Sequence, residues 1–597
     1  MPTTPGPSPA PRRSPRAGRL GRRGSPMLRL RFGFLLIAMV LSVFGGRLVQ
    51  LQGIDPRSYA QMAAAEGVED VVLPATRGEI VDRTGAPLAG SVAGRMVVAD
   101  PKMTADDAPA LATLLSTELG VDYFALLEKL REEGSRFEYV ARRVPATEAD
   151  RVLELVADEG FAGISLRDDP VRDYPAGDVA ANLVGFMGVD EPLGGLERTF
   201  DAQLSGTDGH ARYTVGSGHR VPLGERSVTK PQDGETLRTT LDLDLQWFVQ
   251  KVLAEQVQKY RAASGAAVVM DSRSGHLLAV ADVPTFDAND PQASPEEDLG
   301  SRAFSDVFEP GSVQKVLTAA ALVDAGKVTA RTRIKVPDRL ARQDRAINDW
   351  WDHGTIRLTM AGVIAKSSNI GTVLAADALA IPELVGYLNR FGLGRPTGVG
   401  VRGETGGLLK SGDVMTSQEK DRVAFGQSLS VNAVQMTAAV NTIANDGVRV
   451  SPSLVQGTAT ADDGSVVGTD VATRERVVST RAARQTAKMM ERVVDPEAGV
   501  APSAQVAGYR VAGKTGTAQR VDPECACYDG SFSLSFGGFA PADDPRFTVY
   551  VVIHDPGVDG GGGSVAGPVF SRVMGHVLTK YRVPPTGSAP SRLPVEW

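Results

Sequence analysis

The spacing of hydrophobic residues divides this chain of 597 residues into three stretches. An uncharged apolar run, FGFLLIAMVLSVFGG, fills residues 32–46 and continues past Arg47 into LVQLQ. Residues 53–235 then mix short strand-like runs, helix-like runs and turns, and their pattern does not order a sheet. From residue 236 the spacing becomes regular, and the stretch TLRTTLDLDLQWFVQKVLAEQVQKY predicts an amphipathic helix.

Strand-like patterns stand on both sides of a long helical middle. The stretch AAVVMDSRSGHLLAVADVP predicts a β-hairpin that turns at residues 272–275. Much later come YRVAGKTGTAQ, SFSLSFGGFA and RFTVYVVIHD, and then a last amphipathic helix, GPVFSRVMGHVLTKY. Residues 236–582 are therefore predicted to form an α+β domain with a central antiparallel sheet of about five strands covered by helices. Residues 583–597 are predicted to be a Pro-rich tail.

The N-terminus predicts a membrane anchor. Residues 1–31 hold eight arginines, no acidic residue and many prolines, so this tail cannot form a core. The apolar run can span a bilayer as residues 32–52 if the flanking leucines are included and Arg31 and Arg47 snorkel. A cleaved signal peptide is the alternative, but no A-x-A pattern follows the run. The arginine excess places the N-terminus in the cytoplasm and the rest of the chain outside.

Charge and cysteine content narrow the function. Without the eight N-terminal arginines, 56 basic residues face 71 acidic ones, a formal charge near −15 that argues against nucleic-acid binding. The two cysteines, Cys525 and Cys527, are compatible with a disulfide or with free thiols. A metal site needs more ligands than one C-x-C supplies, so no metal and no cofactor is expected.

A serine and a lysine one helical turn apart provide the first candidate chemistry. Ser312 and Lys315 lie in FEPGSVQKVLTAAAL, where nearly every other position is apolar, so the helix is predicted to be central and buried. Burial lowers the pKa of a lysine and makes a neutral amine available to take the serine proton. Arginine could not do this, because its guanidinium keeps its proton.

The same S-x-x-K spacing occurs twice more. Lys230, after Ser227, precedes Pro231 and a Gln-Asp-Gly turn, which argues against a buried helix. Ser417 opens SQEKDRV, a polar stretch that predicts a charged, solvated Lys420. Of the three lysines, Lys315 alone has the desolvating neighbours that base catalysis by an amine requires.

Two further motifs complete a candidate site. Ser367-Ser368-Asn369 lies where a break between two helical runs would present a hydroxyl and an amide to a cleft. Lys514-Thr515-Gly516-Thr517 ends the strand YRVAGKTGT, where an edge backbone can pair with an extended peptide. Ser430-Val431-Asn432 and Lys410-Ser411-Gly412 repeat these patterns, and the latter is interpreted as a surface turn.

A phosphate loop is the competing interpretation. Residues 508–515 fit G-x₄-G-K-[ST], but a phosphate loop must open a helix, and Gly516 followed by TAQRVDPECACYDG is a poor helix. The glycine run at residues 560–564 is interpreted as a mobile loop beside the site.

Together these motifs resemble the class B penicillin-binding proteins. S-x-x-K, S-x-N and K-T-G also occur in serine β-lactamases. The stretches RGEIVDRTG, RDYPAGDVAANLVGFMG and GLERTFDAQLSGTDG resemble the N-terminal pedestal of class B enzymes, which β-lactamases lack. The resemblance implies a pedestal for dimerisation or interaction at residues 53–235 and a transpeptidase domain at 236–582.

The resemblance also implies a mechanism. Ser312 would attack the penultimate D-Ala carbonyl of a peptidoglycan stem peptide, with Lys315 as general base, Ser367 as proton relay and Asn369 holding the substrate amide. Lys514, Thr515 and Thr517, around Gly516, would bind the terminal carboxylate. The N–H groups of Ser312 and Thr517 would form the oxyanion hole, and β-lactams would acylate Ser312.

Family likeness also suggests partners and alternatives. With no glycosyltransferase module before the pedestal, a SEDS-family polymerase and other division proteins are expected partners at the inner membrane. The absence of PASTA-like repeats favours a septal, division-type enzyme, with an elongation-type enzyme as the alternative. A carboxypeptidase, a β-lactam sensor and an inactive divisome scaffold are the other interpretations; a scaffold would be expected to lose Ser312, Lys315 or Lys514.

Overall fold

The computed structural model describes residues 26–50, 68–216, 219–220, 226–343, 345–522, 525 and 527–597. The predicted tail therefore lies outside the described residues up to residue 25, as do residues 51–52 of the predicted anchor. These residues fall into two compact units, one comprising the chain up to Val72 with His210–Thr229, the other Leu73–Gly209 with Lys230–Trp597.

The first unit contains the N-terminal helix α1, Pro26–Val49. Its 24 residues rise roughly 36 Å, enough to cross a hydrocarbon layer, and Leu30–Val49 is the most apolar part, with none of its surface buried. The helix begins within the segment predicted as tail, with Pro26 at the favourable first position. The unit also has a small sheet with the strand order Val68–Leu73, Gly209–Gly216, Arg226–Thr229, and His219–Arg220 pairs with the middle strand.

The N-terminal part of the second unit, residues 73–209 and 230–240, is built on two small sheets. One has the strand order Leu237–Arg238, Ile80–Val81, Pro87–Val92, Val171–Asp173, and the other Glu138–Pro145, Gly94–Ala99, Ile164–Asp168. The helices of this part are Pro101–Thr104, Ala108–Leu119, Tyr123–Lys129, Ala146–Asp158, Ala181–Val184, Gly195–Thr199 and Asp201–Leu204. The fully buried Glu197 carboxylate binds both Arg77 and Arg172 at 2.7 Å, so the motifs RGEIVDRTG and GLERTF meet in one ion-paired cluster.

The predicted five-stranded sheet forms the centre of the second unit. Its strands are β1 (Ser264–Asp271), β2 (Leu277–Val283), β3 (Ala512–Asp522), β4 (Cys527–Ala540) and β5 (Phe547–His554). The order is β2-β1-β5-β4-β3 and every pairing is antiparallel, so the two ends of the domain meet at the β1–β5 pair and β3 is an edge strand. Every residue of β5 is buried, because helices cover both faces of the sheet.

Nine helices of this domain matter for the site or its surroundings. They are α2 (Leu243–Tyr260), α3 (Gln314–Asp324), α4 (Met360–Lys366), α5 (Asn369–Ala376), α6 (Ile381–Phe391), α7 (Ser417–Phe425), α8 (Ala433–Ala444), α9 (Thr480–Glu491) and α10 (Gly562–Lys580). The predicted first and last helices, α2 and α10, pack on each other and on the sheet. The fully buried helix α3 packs against α5, α7, α8 and α9.

Short elements connect these helices. They are the helix Arg302–Ser305, the strands Arg333–Val336, Arg339–Leu340, Ile347–Asn348, Ile356–Thr359, Val448–Val450, Ala459–Thr460, Val466–Val467 and Arg474–Arg476, and the 3-10 turns Pro291–Ala293, Glu296–Asp298, Gly311–Val313, Thr469–Val471 and Pro502–Ala504. The last residues, predicted as a tail, pack on this domain: Thr359 N donates to Val595 O at 3.0 Å, and Trp597 Nε1 donates to Leu358 O at 3.0 Å.

Candidate active site

Ser312 lies in the 3-10 turn Gly311–Val313 that leads into α3. A positive φ of 53° at Gly311 and a close approach to Thr517 bring this turn against strand β3, since a Cβ on Gly311 would lie 2.7 Å from Thr517 O. Gly516 permits the same contact from the strand side, where a Cβ would lie 2.8 Å from Pro310 O. The two glycines let the serine approach the K-T-G-T strand.

Lys315 is fully buried one turn further along, and its ammonium group points at the S-S-N turn. Its Nζ donates to Ser367 O and to Asn369 Oδ1, each at 2.6 Å, and lies 3.3 Å from Ser367 Oγ. Burial lowers the pKa of Lys315 to about 7, although the nearby Asp349 carboxylate acts in the opposite direction. A substantial share of this lysine is therefore neutral near pH 7.

Lys514 approaches the same hydroxyl from the sheet. Its Nζ donates to Ser367 Oγ at 2.9 Å and to Thr515 Oγ1 at 3.0 Å. The residue is fully buried, and burial together with the charge of Lys315 holds its pKa well below the usual lysine value. Two lysines thus contact Ser367 Oγ. Because like charges repel in a buried site, it is unfavourable for both lysines to be in the charged ammonium form.

The S-S-N turn is the predicted break between two helices. Ser367 follows α4 with a left-handed φ of 62°, and Ser368 caps α5 by accepting from Gly371 N at 2.8 Å. Asn369 Nδ2 donates to Asn348 O at 2.9 Å, which leaves Asn369 Oδ1 facing Lys315. The orientation of this amide is therefore fixed at both ends.

One cavity of about 830 Å³ joins these elements. Ser312, Ser367, Asn369, Thr515 and Thr517 all line it. The Ser312 hydroxyl makes no hydrogen bond with any other described residue, so it is free to meet a ligand. Among the described residues that line the cavity there are two arginines, Arg345 and Arg422, and no Asp or Glu. The cavity suits an anionic peptide.

Comparison with known proteins places this site in a family. Residues 265–575 match the penicillin binding protein transpeptidase domain, and residues 72–192 match the penicillin-binding protein dimerisation domain. The chain is 35% identical to penicillin-binding protein PbpB of Mycolicibacterium smegmatis, covering 94% of this chain and 92% of the relative. It is 34% identical to peptidoglycan D,D-transpeptidase FtsI of Escherichia coli, covering 92% and 91%. The chain belongs to the class B penicillin-binding proteins.

Solved structures of penicillin-binding proteins agree with the fold. Penicillin binding protein 3 from Mycobacterium tuberculosis, in complex with aztreonam, aligns with a TM-score of 0.68 at 31% identity, covering 88% of this chain and all of that one. A peptidoglycan synthetase from Bifidobacterium adolescentis aligns with a TM-score of 0.71 at 29% identity, covering 89% of this chain and all of that one. The predicted α+β transpeptidase fold is confirmed.

The residues of the competing motifs have other structural explanations. Ser227 lies on the exposed strand Arg226–Thr229, and Lys410 forms an exposed ion pair with Glu419. Asn432 instead caps α8, and Ser430 pairs with Leu408. The phosphate-loop pattern runs into strand β3 rather than into a helix, so it has no helix N-terminus to hold a phosphate.

Two predictions near the site need correction. Lys420 is not solvated: it lies on α7 and is only 9% exposed, because that helix packs against α3 and α5. The glycine run is not all loop, since Gly562 and Gly563 open helix α10. Gly562 also packs tightly on β3, where a Cβ would lie 2.4 Å from Gly516 O. The run does line the cavity, as expected.

The cysteines and one loop complete the surroundings. Cys525 forms a disulfide with Cys527, the first residue of β4, so the first of the two open interpretations holds. No group of three potential metal ligands occurs among the described residues. Asp349 and Trp350 border the S-S-N turn and belong to none of the sequence motifs. Their signal was a Trp-Trp-Asp-His stretch in a chain with only four tryptophans.

Proposed function

We propose that this protein is a peptidoglycan D,D-transpeptidase that forms an acyl-enzyme at Ser312. The observation that carries the proposal is the arrangement around Ser367, whose hydroxyl is shared by the buried Lys315 and Lys514 beside the cavity that Ser312 lines. Lys315 follows Ser312 by one helical turn, and a neutral amine near a serine nucleophile can take its proton.

Lys315 acts as the general base. In its neutral form it has two N–H groups, which the contacts to Ser367 O and Asn369 Oδ1 occupy, and one lone pair that remains to accept a proton. Ser312 Oγ gives its proton to Lys315 Nζ and forms a bond to the carbonyl carbon of the penultimate D-Ala, and the bond to the last D-Ala breaks. Ser367 Oγ delivers its proton to the departing amine and takes one back from Lys315 Nζ, 3.3 Å away.

Lys514, Thr515 and Thr517 bind the terminal carboxylate of the donor peptide. A carboxylate that contacts Lys514 raises the pKa of that lysine and keeps it charged. A charged Lys514 beside Ser367 disfavours a second charge on Lys315, while the bound carboxylate offsets part of that repulsion. The unpaired edge of β3 offers backbone groups to an extended peptide.

The tetrahedral intermediate is stabilised by backbone N–H groups of Ser312 and Thr517. Ser312 lies in the first turn of its helix, where N–H groups lack partners within the helix. Such a donor commonly lowers the barrier by about 3 to 4 kcal/mol. An amine from a neighbouring stem peptide then attacks the ester and releases Ser312, which leaves the two peptides cross-linked.

The cellular setting follows from the same resemblance. Helix α1 anchors the protein once in the membrane, with the arginine-rich N-terminus in the cytoplasm and the catalytic domain outside. Similarity to proteins named FtsI and PbpB supports a role in septal wall synthesis. A SEDS-family polymerase would supply the glycan strands, and β-lactams would acylate Ser312 as substrate mimics.

Labelling with a fluorescent penicillin tests this proposal. The detergent-solubilised chain should become labelled at one site, and peptide mass mapping should place the label on Ser312. Ser312→Ala should abolish labelling, whereas Ser417→Ala, in the corresponding position of another S-x-x-K match, should label like wild type. An unlabelled wild type, or equal labelling of Ser312→Ala, would contradict the assignment of the nucleophile.

A further inference from the structure

Residues 348–353 form a loop segment, here the Asp349 loop, that contacts the S-S-N turn from outside the three motifs. It begins at the last residue of the short strand Ile347–Asn348. Trp350 Nε1 donates to Lys366 O, the last residue of α4, at 3.0 Å. At the other end Asn348 O accepts from Asn369 Nδ2 at 2.9 Å. The loop therefore holds both sides of the turn that contains Ser367.

The Asp349 carboxylate makes the central contacts. Its Oδ2 accepts from Ser368 Oγ at 2.7 Å, and its Oδ1 accepts from Ile370 N at 3.0 Å. His353 Nε2 lies 3.1 Å from Oδ2. The side chain of Asp349 is fully buried, so each of these contacts is shielded from water. A single carboxylate thus accepts hydrogen bonds from the residues before and after Asn369.

The turn needs such support because of its backbone. Ser367 has a φ of 62°, a left-handed conformation that costs a residue with a Cβ roughly 1 kcal/mol or more. A small shift of this turn would move Ser367 Oγ away from both lysines and Asn369 Oδ1 away from Lys315. Misplacement by about 1 Å at a catalytic group commonly reduces the rate about 10²-fold.

We propose that Asp349 is a positioning residue of this transpeptidase: it holds the Ser367–Asn369 turn in place and adds a fixed negative charge behind Lys315. The inference rests on the proposed function, because it assigns Asp349 a part in the acylation of Ser312. None of the three sequence motifs includes this residue.

The charge of Asp349 has its own consequence. It attracts the ammonium form of Lys315 and so raises the pKa that burial lowers. Other titratable or charged groups around this site, among the described residues, are Lys514 from β3, whose charge repels that of Lys315, the imidazole of His353 from the same loop, and Arg345 and Arg422, which line the cavity. Asp349→Asn removes the attraction, so the pKa of Lys315 falls further. The fall of the acylation rate on the acidic side of its pH profile, here called the acid limb, then moves to lower pH.

The test measures the second-order rate of acylation by a fluorescent penicillin from pH 5 to 10, using the detergent-solubilised full chain. Asp349→Asn should slow acylation at pH 8 by about 10²-fold and move the acid limb to lower pH. Asp352→Asn is the matched control: Asp352 is exposed in the same loop and makes no side-chain hydrogen bond or ion pair with the described residues. It should behave as wild type.

A second variant separates the hydrogen bond from the charge. Ser368→Ala removes the 2.7 Å contact to Asp349, together with the cap on Gly371 N, but leaves the carboxylate, so it should slow acylation without moving the acid limb. This variant also decides the question if Asp349→Asn does not fold. A wild-type rate for Ser368→Ala would then overturn the proposal.

The remaining outcomes are equally decisive. If wild type is labelled at Ser312 and Asp349→Asn has the same rate and the same acid limb, the inference is wrong while the proposed function stands. A slower Asp349→Asn with an unmoved acid limb would leave the residue a packing role and overturn the part assigned to its charge. If wild type is not labelled at Ser312, the proposed function itself fails.

Discussion

Two Ser-x-x-Lys segments of this protein differ in what surrounds them. Both open a helix of the same domain, and both lysines are largely buried, Lys315 completely and Lys420 at 9% exposure. Around Lys315, an S-S-N turn and a second lysine converge on one hydroxyl. Ser417, by contrast, is exposed and donates to Gln343 Oε1 at 2.9 Å. Burial of a lysine is therefore insufficient to define the site.

The second segment has a structural explanation. Thr416 and Glu419 form a capping box at the start of α7, with hydrogen bonds in both directions. Serine is common near helix starts because its side chain hydrogen-bonds to nearby backbone groups, which disfavours serine in helix interiors. Ser312 does not cap its helix, and its hydroxyl faces a cavity instead. The same spacing arises from helix initiation in one case and from chemistry in the other.

The largest expected difference in acylation rate between the two segments comes from replacing their lysines, Lys315 and Lys420, with arginine. Lys315→Arg should lower the acylation rate by about 10³-fold, because the guanidinium stays charged and cannot accept the serine proton. Lys420→Arg should remain within about twofold of wild type. The measurement is the acylation rate with a fluorescent penicillin at pH 8, alongside the melting temperature of each variant. Near-native acylation by Lys315→Arg would remove the proposed base.

Removing the shared hydroxyl should have a smaller effect. Ser367→Ala deletes the group that both lysines contact, and the loss of one proton-transfer step typically costs about 10²-fold. Ser417→Ala removes a hydroxyl that contacts only Gln343 Oε1 among the described residues, so its rate should not change. Single-turnover acylation would show the difference. Equal rates for the two variants would mean that Ser367 carries no proton.

Disturbing the close approach of β3 to the Ser312 turn should cause the smallest loss of acylation rate. Gly516→Ala adds a Cβ that would lie 2.2 Å from Ser535 Oγ and 2.8 Å from Pro310 O, so the strand or the Ser312 turn must shift. We expect acylation to slow by about tenfold. Gly386→Ala, in α6 with nothing within 4 Å of the new Cβ, is the matched control and should stabilise the helix slightly. A wild-type rate for Gly516→Ala would show that the contact tolerates a methyl group.

The elements that the sequence predicts well are those with strong local patterns. The hairpin of β1 and β2, the strands β3 to β5 and the buried helix α3 follow directly from apolar spacing and turn residues. The family motifs indicated that Ser312, Ser367 and Lys514 would meet. The contacts among these residues depend on how helices α3, α4 and α5 pack, which no local pattern reports.

Other features depend on tertiary contacts that no local pattern reports. The polar sequence of α7 predicts an exposed Lys420, yet packing against α3 and α5 covers it. Asp349 reaches Ser368 across 19 residues of chain, and its partner could not be read from either segment. Likewise, residues 594–597 contain no helix or strand pattern, but Val595 and Trp597 bind the strand Ile356–Thr359 that leads into α4.

The central claim is a buried lysine whose lowered pKa makes it largely neutral above pH 7. The pH dependence of Ser312 acylation tests this claim most directly. The folded pKa of Lys315 is about 7, below its ordinary value, so the competent neutral form is lost as pH falls through 7. The account predicts an acylation rate that falls about tenfold per pH unit below 7 and levels off above about pH 8. A rate that keeps rising about tenfold per unit through pH 9 would show a lysine with an ordinary pKa and contradict it.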